Sequence, residues 1–284
     1  MNLPGATLFG QAILSGVFIG ALYGLLGLGL SLTWGLLGQI NLAHFALAFL
    51  GAYLTYQLSS AGLDPLLTLA VVLPLFFLFG AALHWLFTRF RVGAFNSLLV
   101  TFGLTVIMEA GIQWIWSADF RRLESHYADV RYRVAGLYVP LPELLTLSLS
   151  VALALGLWAA LRYSDFGKAI RASAEDSAMA QAYGVNARAL ALLLSGISAA
   201  LAGVAGLCIA LSYTLAPSQI YAWVGVVFAV VMLGGLGSAL GPLIAGIVIG
   251  VSEAMTMALT APSWAPLVSF SLLIALLVLR PEKL

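Results

Sequence analysis

Long apolar runs dominate the chain, and short polar segments separate them. The runs extend for about 20 residues without period-two alternation, which indicates membrane-spanning helices rather than barrel strands. The pattern predicts an all-α polytopic transmembrane bundle of about eight or nine spans, with residues 1–284 forming a single transmembrane domain. The predicted spans are 9–33, 36–58, 65–88, 94–117, 141–161, 189–213, 220–235, 240–259 and 264–280.

The number of spans depends on the glycine-rich stretch LGGLGSALGP at 233–242. Such a stretch forms either a simple turn or a re-entrant break, because neighbouring helices or a cavity can satisfy its backbone groups. Nine spans, or eight spans with a half-helix, both fit the sequence. A repeated LSG at 14–16 and 194–196 would fit an inverted repeat, but we interpret three matched residues as chance.

Composition supports the same class of protein. The chain is 62% hydrophobic and 8% charged, with a mean hydropathy of +1.07, so it has too few charges to cover a soluble surface. Its single cysteine, Cys208, excludes an internal disulfide. A net charge of +1 says little about partners, and we expect the lipid bilayer and no nucleic acid among them.

Basic residues in the loops predict the orientation. If 162–188 is cytoplasmic, alternation also places Arg89, Arg91, Arg280 and Lys283 inside, for a total of eight basic residues inside and four outside. We therefore expect the N-terminus outside and the C-terminus in the cytoplasm. The four basic residues expected outside are Arg121, Arg122, Arg131 and Arg133.

Residues 162–188, here called the charged loop, hold seven of the 23 Asp, Glu, Lys and Arg residues. Good helix formers from Lys168 to Tyr183, followed by Gly184, predict one short helix with a glycine stop. Its expected stripe contains Ala172, Glu175, Ala178, Met179 and Ala182. The loop is long for a connector between spans, so we favour docking of a partner protein.

A few polar residues lie inside apolar sequence. Gln39, Asn41 and His44 cluster near the start of the second span, and Glu109 and Glu253 lie in later spans. These residues either line a translocation path or form hydrogen bonds between helices, and for Asn41 and His44 both readings stay open. For the two glutamates we favour structural roles.

The sequence predicts no catalytic, metal or cofactor site. Its three histidines lack the spacing of metal ligands, and Gly167-Lys168 is followed by Ala169 rather than by the Ser or Thr of a phosphate-binding loop. ATP would therefore bind elsewhere, and we expect the chain not to be an enzyme.

Six segments, in order along the chain, carry a family resemblance. They are GQINLAHFALAFLGAYL at 38–54, VTFGLTVIMEA at 100–110, RASAEDSAMAQAYGVN at 171–186, SGISAALAGVAG at 195–206, VVMLGGLGSALGPLIAG at 230–246 and LRP at 279–281. Through them the chain resembles the permease subunits of branched-chain amino acid ABC transporters, and Ile40-Asn41, Ala43-His44 and Met179 resemble the smaller of their two homologous permeases. Gln39 is more usual in the larger one, and Phe45 stands where a glycine often follows the histidine.

The resemblance implies a multi-pass importer subunit in a bacterial or archaeal plasma (inner) membrane. Its implied partners are two ATP-binding subunits, a homologous second permease and a substrate-binding protein. The cargo would be branched-chain or related hydrophobic amino acids. The alternative is a self-contained secondary transporter of a small solute such as an amino acid, urea or an amide.

The resemblance also implies two groups of functional residues. The substrate path would include Gln39, Asn41, His44, Phe45 and Glu109. Coupling to the ATPase would use Arg171, Glu175, Asp176, Met179 and Gly184 in the charged loop.

Overall fold

The computed structural model describes residues 5–134 and 136–279, so Arg280 and Lys283 of the predicted cytoplasmic tail, and most of the LRP motif, lie outside the described residues. The described chain is predominantly helical, with one short β-hairpin. The elements are α1 Ala6–Leu37, α2 Ala43–Ser60, α3 Leu69–Arg89, α4 Ala94–Trp116, β1 Arg131–Val134, β2 Leu137–Pro140, α5 Leu141–Tyr163, α6 Asp165–Glu175, α7 Ser177–Ala182, α8 Ala187–Ser212, a 3-10 helix Pro217–Trp223, α9 Val224–Gly234, α10 Gly241–Leu259, a 3-10 helix Pro262–Trp264 and α11 Ala265–Leu279.

Two ends of the bundle can be distinguished. At the hairpin end, the antiparallel β1–β2 pair lies beside the start of α1, where Gln11 exchanges hydrogen bonds with the backbone of Tyr138. Arg121 and Leu215 form an isolated bridge at the same end. The opposite end, here called the loop end, carries the charged loop.

Glycines allow α1 to pack backbone against backbone with α10. A Cβ placed on Gly16 would lie 2.5 Å from Val251 Cα, and one on Gly20 would lie 2.5 Å from the Gly246 carbonyl oxygen. Contact residues with higher numbers in α1 meet residues with lower numbers in α10, so the two helices are antiparallel. Small residues of this kind let transmembrane helices approach closely.

The second central helix, α8, has corresponding contacts. A Cβ on Gly80 of α3 would lie 2.4 Å from the Ser195 carbonyl oxygen, and one on Gly206 would lie 2.3 Å from the Ala48 carbonyl oxygen of α2. Helix α1 packs on α9 and α10, and α8 packs in the same way on α2 and α3. Helix α2 contacts α4, and α9 correspondingly contacts α11. Helices α1–α4 and α8–α11 thus repeat one arrangement with opposite directions, a relation that the LSG match alone did not support.

The predicted number of spans is corrected. In the described part of the chain, seven helical segments are long and apolar enough to cross a membrane, rather than eight or nine. The two segments that fall short are α2, which carries polar residues such as His44 and Gln57, and α11, which is 15 residues long. Helix α11 forms at the predicted place, whereas α2 begins at Ala43 rather than at residue 36, because α1 continues to Leu37 and ends at Gly38.

The glycine-rich stretch forms a break between α9 and α10. Gly237 N–H donates to the Ser31 carbonyl at 3.0 Å, and Ser31 Oγ donates to the Gly235 and Ser238 carbonyls at 3.3 Å each. Gly237 lies against the last turns of α1, where a Cβ on Gly35 would come within 1.9 Å of the Gly237 nitrogen. The end of α1 therefore satisfies part of the backbone of the break, and the choice between a simple turn and a re-entrant break stays a prediction.

The α1–α10 contact can be tested with a matched pair of leucine substitutions. Gly246→Leu places a side chain where a Cβ would lie 2.4 Å from the Gly20 carbonyl oxygen, whereas a Cβ on Gly111 meets nothing within 4 Å. Both substitutions replace a helical glycine with leucine, so they raise the helix propensity equally. Only Gly246→Leu forces two helices apart, and we expect it to destabilise the protein by about 1–3 kcal/mol or more. Thermal unfolding of the purified variants in detergent measures this. Equal melting temperatures would contradict the close backbone contact.

Candidate functional site

The linker between α1 and α2 is tied to α3 and α4 at the loop end. Gly38 ends α1 in a left-handed conformation with φ of 65°, which glycine adopts without steric cost. Gln39 Oε1 then lies 3.1 Å from His84 Nδ1 on α3, and Leu42 N–H donates to Thr101 Oγ1 on α4 at 3.1 Å. The linker therefore holds Gln39 and Asn41 at the junction of four helices.

His44 lies fully inside the bundle, between α1, α2 and α8. Its Nε2 is 3.1 Å from the Leu26 carbonyl oxygen, and a Cβ on Gly29 would lie 2.4 Å from its Cε1. Ser198 of α8 donates to the Gly29 carbonyl at 2.7 Å. Because a carbonyl only accepts, Nε2 donates, and in the neutral ring Nδ1 is left as an acceptor.

Two buried acceptors near the start of α2 lack hydrogen-bond partners among the described residues: His44 Nδ1 and Asn41 Oδ1. Such unpaired groups usually cost about 1–3 kcal/mol each, and most proteins avoid them. One helical turn separates the two residues, since His44 N–H donates to the Asn41 carbonyl at 3.3 Å. Both acceptors are buried in this conformation, so a donor from outside the chain reaches them only if the surrounding helices move.

Phe45 contributes to an aromatic cluster instead of opening a path. It is 1% exposed, and its ring stacks on Phe228 of α9 with centroids 6.4 Å apart. Trp34 of α1 lies 5.4 Å from the same Phe228 ring. Rings from α1, α2 and α9 thus close the space next to His44.

Glu109 lies away from the other predicted path residues. Its carboxylate accepts from Tyr221 Oη at 2.8 Å and from Gln113 Nε2 at 3.2 Å. The α2 linker contacts α4 at Thr101, about 12 Å along the helix from Glu109. The structure brings together Gln39, Asn41, His44 and Phe45, and leaves Glu109 towards the hairpin end.

Glu253, the other intramembrane glutamate, links three helices. Tyr23 Oη of α1 donates to Glu253 Oε2 at 3.0 Å, and Ser269 Oγ of α11 donates to Oε1. These contacts agree with the structural role that the sequence favoured.

At the hairpin end, a cavity of 260 Å³ holds charges of both signs, which sequence reasoning did not assemble into a site. Arg122 and Arg131 line it together with Glu143 and Ser212, and Ser212 Oγ is buried without a hydrogen-bond partner among the described residues. A second, more apolar cavity of 160 Å³ shares Glu143 and Ser212. The signal in the sequence for this cavity was the mixture of acidic and basic residues in the loop before α5.

The charged loop begins with a tight turn onto α6. Ser164 caps α6 by accepting from Gly167 N–H at 3.1 Å, and a Cβ on Gly167 would lie 2.1 Å from the Leu161 carbonyl oxygen. Arg171 donates back to the same carbonyl at the end of α5. A hydrogen bond from Lys168, with Nζ 2.9 Å from Asp165 Oδ1, lowers the pKa of the Asp165 carboxyl. These contacts fix α6 to α5.

The prediction of a single helix from Lys168 to Tyr183 is wrong, because the helix is interrupted at Asp176. The Asp176 side chain accepts from the N–H groups of Ala178 and Met179 at 3.0 Å each and so starts α7. The expected stripe therefore divides between two helices. Gly184 follows α7 with φ of 88°, which confirms the glycine stop.

The outer face of the broken helix is open to solvent. Arg171, Glu175 and Asp176 are exposed, and Met179 is 59% exposed. Tyr183, which sequence reasoning missed, is 85% exposed and lies four residues after Met179. Exposed apolar and acidic side chains thus lie side by side at the loop end.

Among residues 5–134 and 136–279, no group of three or more His, Cys, Asp or Glu side chains could hold a metal ion.

Comparison with known proteins decides the family. The family model described as "Branched-chain amino acid transport system / permease component" matches residues 12–277. The chain belongs to this family. The resemblance inferred from the sequence is thereby confirmed.

Relatives of the permease cover nearly its whole length. It is 27% identical to the high-affinity branched-chain amino acid transport system permease protein LivH of Salmonella typhimurium, over 96% of this chain and 94% of that protein. It is also 27% identical to the corresponding protein BraD of Pseudomonas aeruginosa, over 95% and 94%. A probable LivH of Methanocaldococcus jannaschii is 27% identical over 90% and 86%. No solved structure matches the permease.

Proposed function

We propose that the permease is the membrane-spanning subunit of an ATP-driven importer for branched-chain or related hydrophobic amino acids. The observation that carries the proposal is the family match over residues 12–277, with relatives named as permeases of branched-chain amino acid transport. Helices of membrane-spanning length and composition support a multi-pass protein of the plasma membrane.

The proposed path begins in the cavities of the hairpin end, which would face outwards. Arginines suit a carboxylate, Glu143 suits an ammonium group, and the neighbouring apolar cavity suits a hydrophobic side chain. The path would continue past His44 and Asn41, whose free acceptors fit the ammonium group of an amino acid. It would leave at Gln39 in the α1–α2 linker. Glu109 would border the path from the α4 side.

The aromatic cluster that includes Phe45 would close the proposed path in this conformation. Opening requires α1, α2 and α9 to move relative to one another, because their side chains interlock there. A rigid-body change between outward-open and inward-open states supplies such a movement.

Coupling would use the exposed face of α6 and α7 at the loop end, which we place in the cytoplasm. Glu175, Asp176, Met179 and Gly184 would contact an ATP-binding subunit, while Arg171 holds α6 against α5. A push on α6 then reaches the bundle through α5 and α1, which both contact α6. The full set of proposed partners is two ATP-binding subunits, a homologous second permease and a substrate-binding protein. The permease itself would have no ATPase site.

One observation favours the secondary transporter as a second candidate. The opposed arrangement of α1–α4 and α8–α11 is common in such carriers. An exposed, helical charged loop is not needed by a carrier that works alone, so the ABC assembly accounts for more of the structure.

Reversing one charge on the coupling face tests the proposed contact. Glu175→Arg leaves the cap at Asp176 intact, so the loop should fold, but the new cation opposes docking of the ATPase. We expect at least a tenfold lower substrate-stimulated ATPase activity in the reconstituted assembly, with insertion unchanged. The matched control is Glu124→Arg, the same reversal at an exposed position of the hairpin end. Unchanged stimulation in the Glu175 variant would remove the coupling role.

The substitution His44→Ala distinguishes a role of His44 in the substrate path from a role in helix packing. If His44 Nδ1 meets the solute, the variant should raise the KM for leucine uptake several-fold while the amount of folded permease stays constant. Thr55→Ala removes another fully buried polar group from α2, where it contacts Thr68 Oγ1 at 3.3 Å, and should leave the KM unchanged. A His44 variant that only lowers the folded amount would support the packing role.

A further inference from the structure

Three arginines line one pocket of 280 Å³ at the loop end. Arg89 lies in the last turn of α3, Arg91 follows it, and Arg188 is the second residue of α8. The other lining residues are Trp85, Thr88 and Leu192, so the lining includes no acidic side chain. The ion pairs formed by the described residues do not include these arginines either. Three cations held around one space favour an anionic ligand.

An apolar groove adjoins this pocket. It has a volume of 540 Å³ between α3 and α4. Trp85 lines both the groove and the arginine pocket, and it is 57% exposed, as is usual for tryptophans at a membrane interface. Gly103 leaves one side of the groove open, because a Cβ there would meet nothing within 4 Å. All of the groove's lining residues are apolar or small: Phe79, Ala82, Leu83, Trp85, Leu86, Leu99, Val100, Gly103, Leu104 and Ile107.

We propose that the arginine pocket and the groove together bind an anionic phospholipid, such as phosphatidylglycerol, with its phosphate on Arg89, Arg91 and Arg188 and an acyl chain between α3 and α4. The guanidinium groups suit a phosphate, and the apolar, partly exposed lining of the groove suits an acyl chain. A soluble phosphate would use the pocket but not the groove. Because Trp85 lines both spaces, one ligand that carries both a phosphate and an acyl chain accounts for the pair.

The position in the bundle suits this ligand. Basic pockets between transmembrane helices at the cytoplasmic side bind anionic headgroups, and the arginines lie at the end that the positive-inside rule places in the cytoplasm. Arg188 is the last residue of the charged loop, and the residues that line the pocket belong to α3, the segment after it and α8, not to α6 or α7. The proposed lipid site does not depend on the identity of the transported solute.

Native mass spectrometry of the full chain in mild detergent tests the site, with phosphatidylglycerol, phosphatidylcholine and inorganic phosphate as probes. We expect the unmodified permease to retain phosphatidylglycerol at least about tenfold more strongly than phosphatidylcholine. Arg89→Gln with Arg188→Gln should reduce this retention by about tenfold or more, since each arginine near the surface adds to the attraction.

Two further variants guard against misfolding. Arg91→Gly removes a guanidinium at a position with φ of 50°, where glycine relieves backbone strain, and should lower retention by about fivefold. Gly103→Leu fills the groove and should also lower retention, whereas Gly111→Leu on the same helix should not. Arg133→Gln, at the hairpin end, is the control for loss of an arginine.

Retention in the arginine variants equal to that of Arg133→Gln would overturn the phosphate site. Retention in Gly103→Leu equal to that of Gly111→Leu would overturn the acyl-chain groove. Displacement of phosphatidylglycerol by millimolar inorganic phosphate would reassign the pocket to a soluble anion and overturn the lipid proposal.

Discussion

The structure depends on backbone-to-backbone packing around α1. Gly16 and Gly20 let α10 approach until backbone atoms meet, and no larger side chain fits without moving one helix. In hydrocarbon, helices gain nothing from hiding apolar surface from lipid, so such close contact and its dispersion energy must hold the bundle together. The glycines set how closely α1 and α10 approach each other. The break before α10 lies against the same helix, α1.

The same helix connects the proposed functional regions. Gly29 makes room for His44, Ser31 holds the glycine-rich break between α9 and α10, and the end of α1 contacts α6 of the charged loop. A displacement of α6 therefore acts on the helix that also touches the histidine and the aromatic cluster. Since packed interfaces switch between discrete arrangements, α1 is a suitable element to transmit a movement from the loop end to the path.

Much of the fold was predictable because hydropathy directly reports the helices that membranes require. All nine predicted segments are helical, although α2 and α11 do not reach the length and hydropathy of the other spans. The break at Asp176 was missed because an Asp within helix-forming sequence can either stay helical or cap a new helix, and local hydrogen bonds decide between them. The pairing of α1 with α10 was not predictable, since glycines show that a helix packs closely but not against which partner.

The candidate sites were harder to predict from the sequence than the fold. His44 and Asn41 were identified from polarity alone, and only their surroundings show one nitrogen bound to α1 and two acceptors free among the described residues. The pocket of Arg89 and Arg188 joins residues far apart in the chain, which folding alone brings together.

The central claim is that this chain works as one subunit of a larger ATP-driven assembly. Affinity purification from its native membrane in mild detergent, followed by mass spectrometry of the bound proteins, tests it most directly. We expect two ATP-binding subunits and a second permease in stable association with the chain. A chain that is recovered alone, and that transports leucine in liposomes under an ion gradient without ATP, would contradict it.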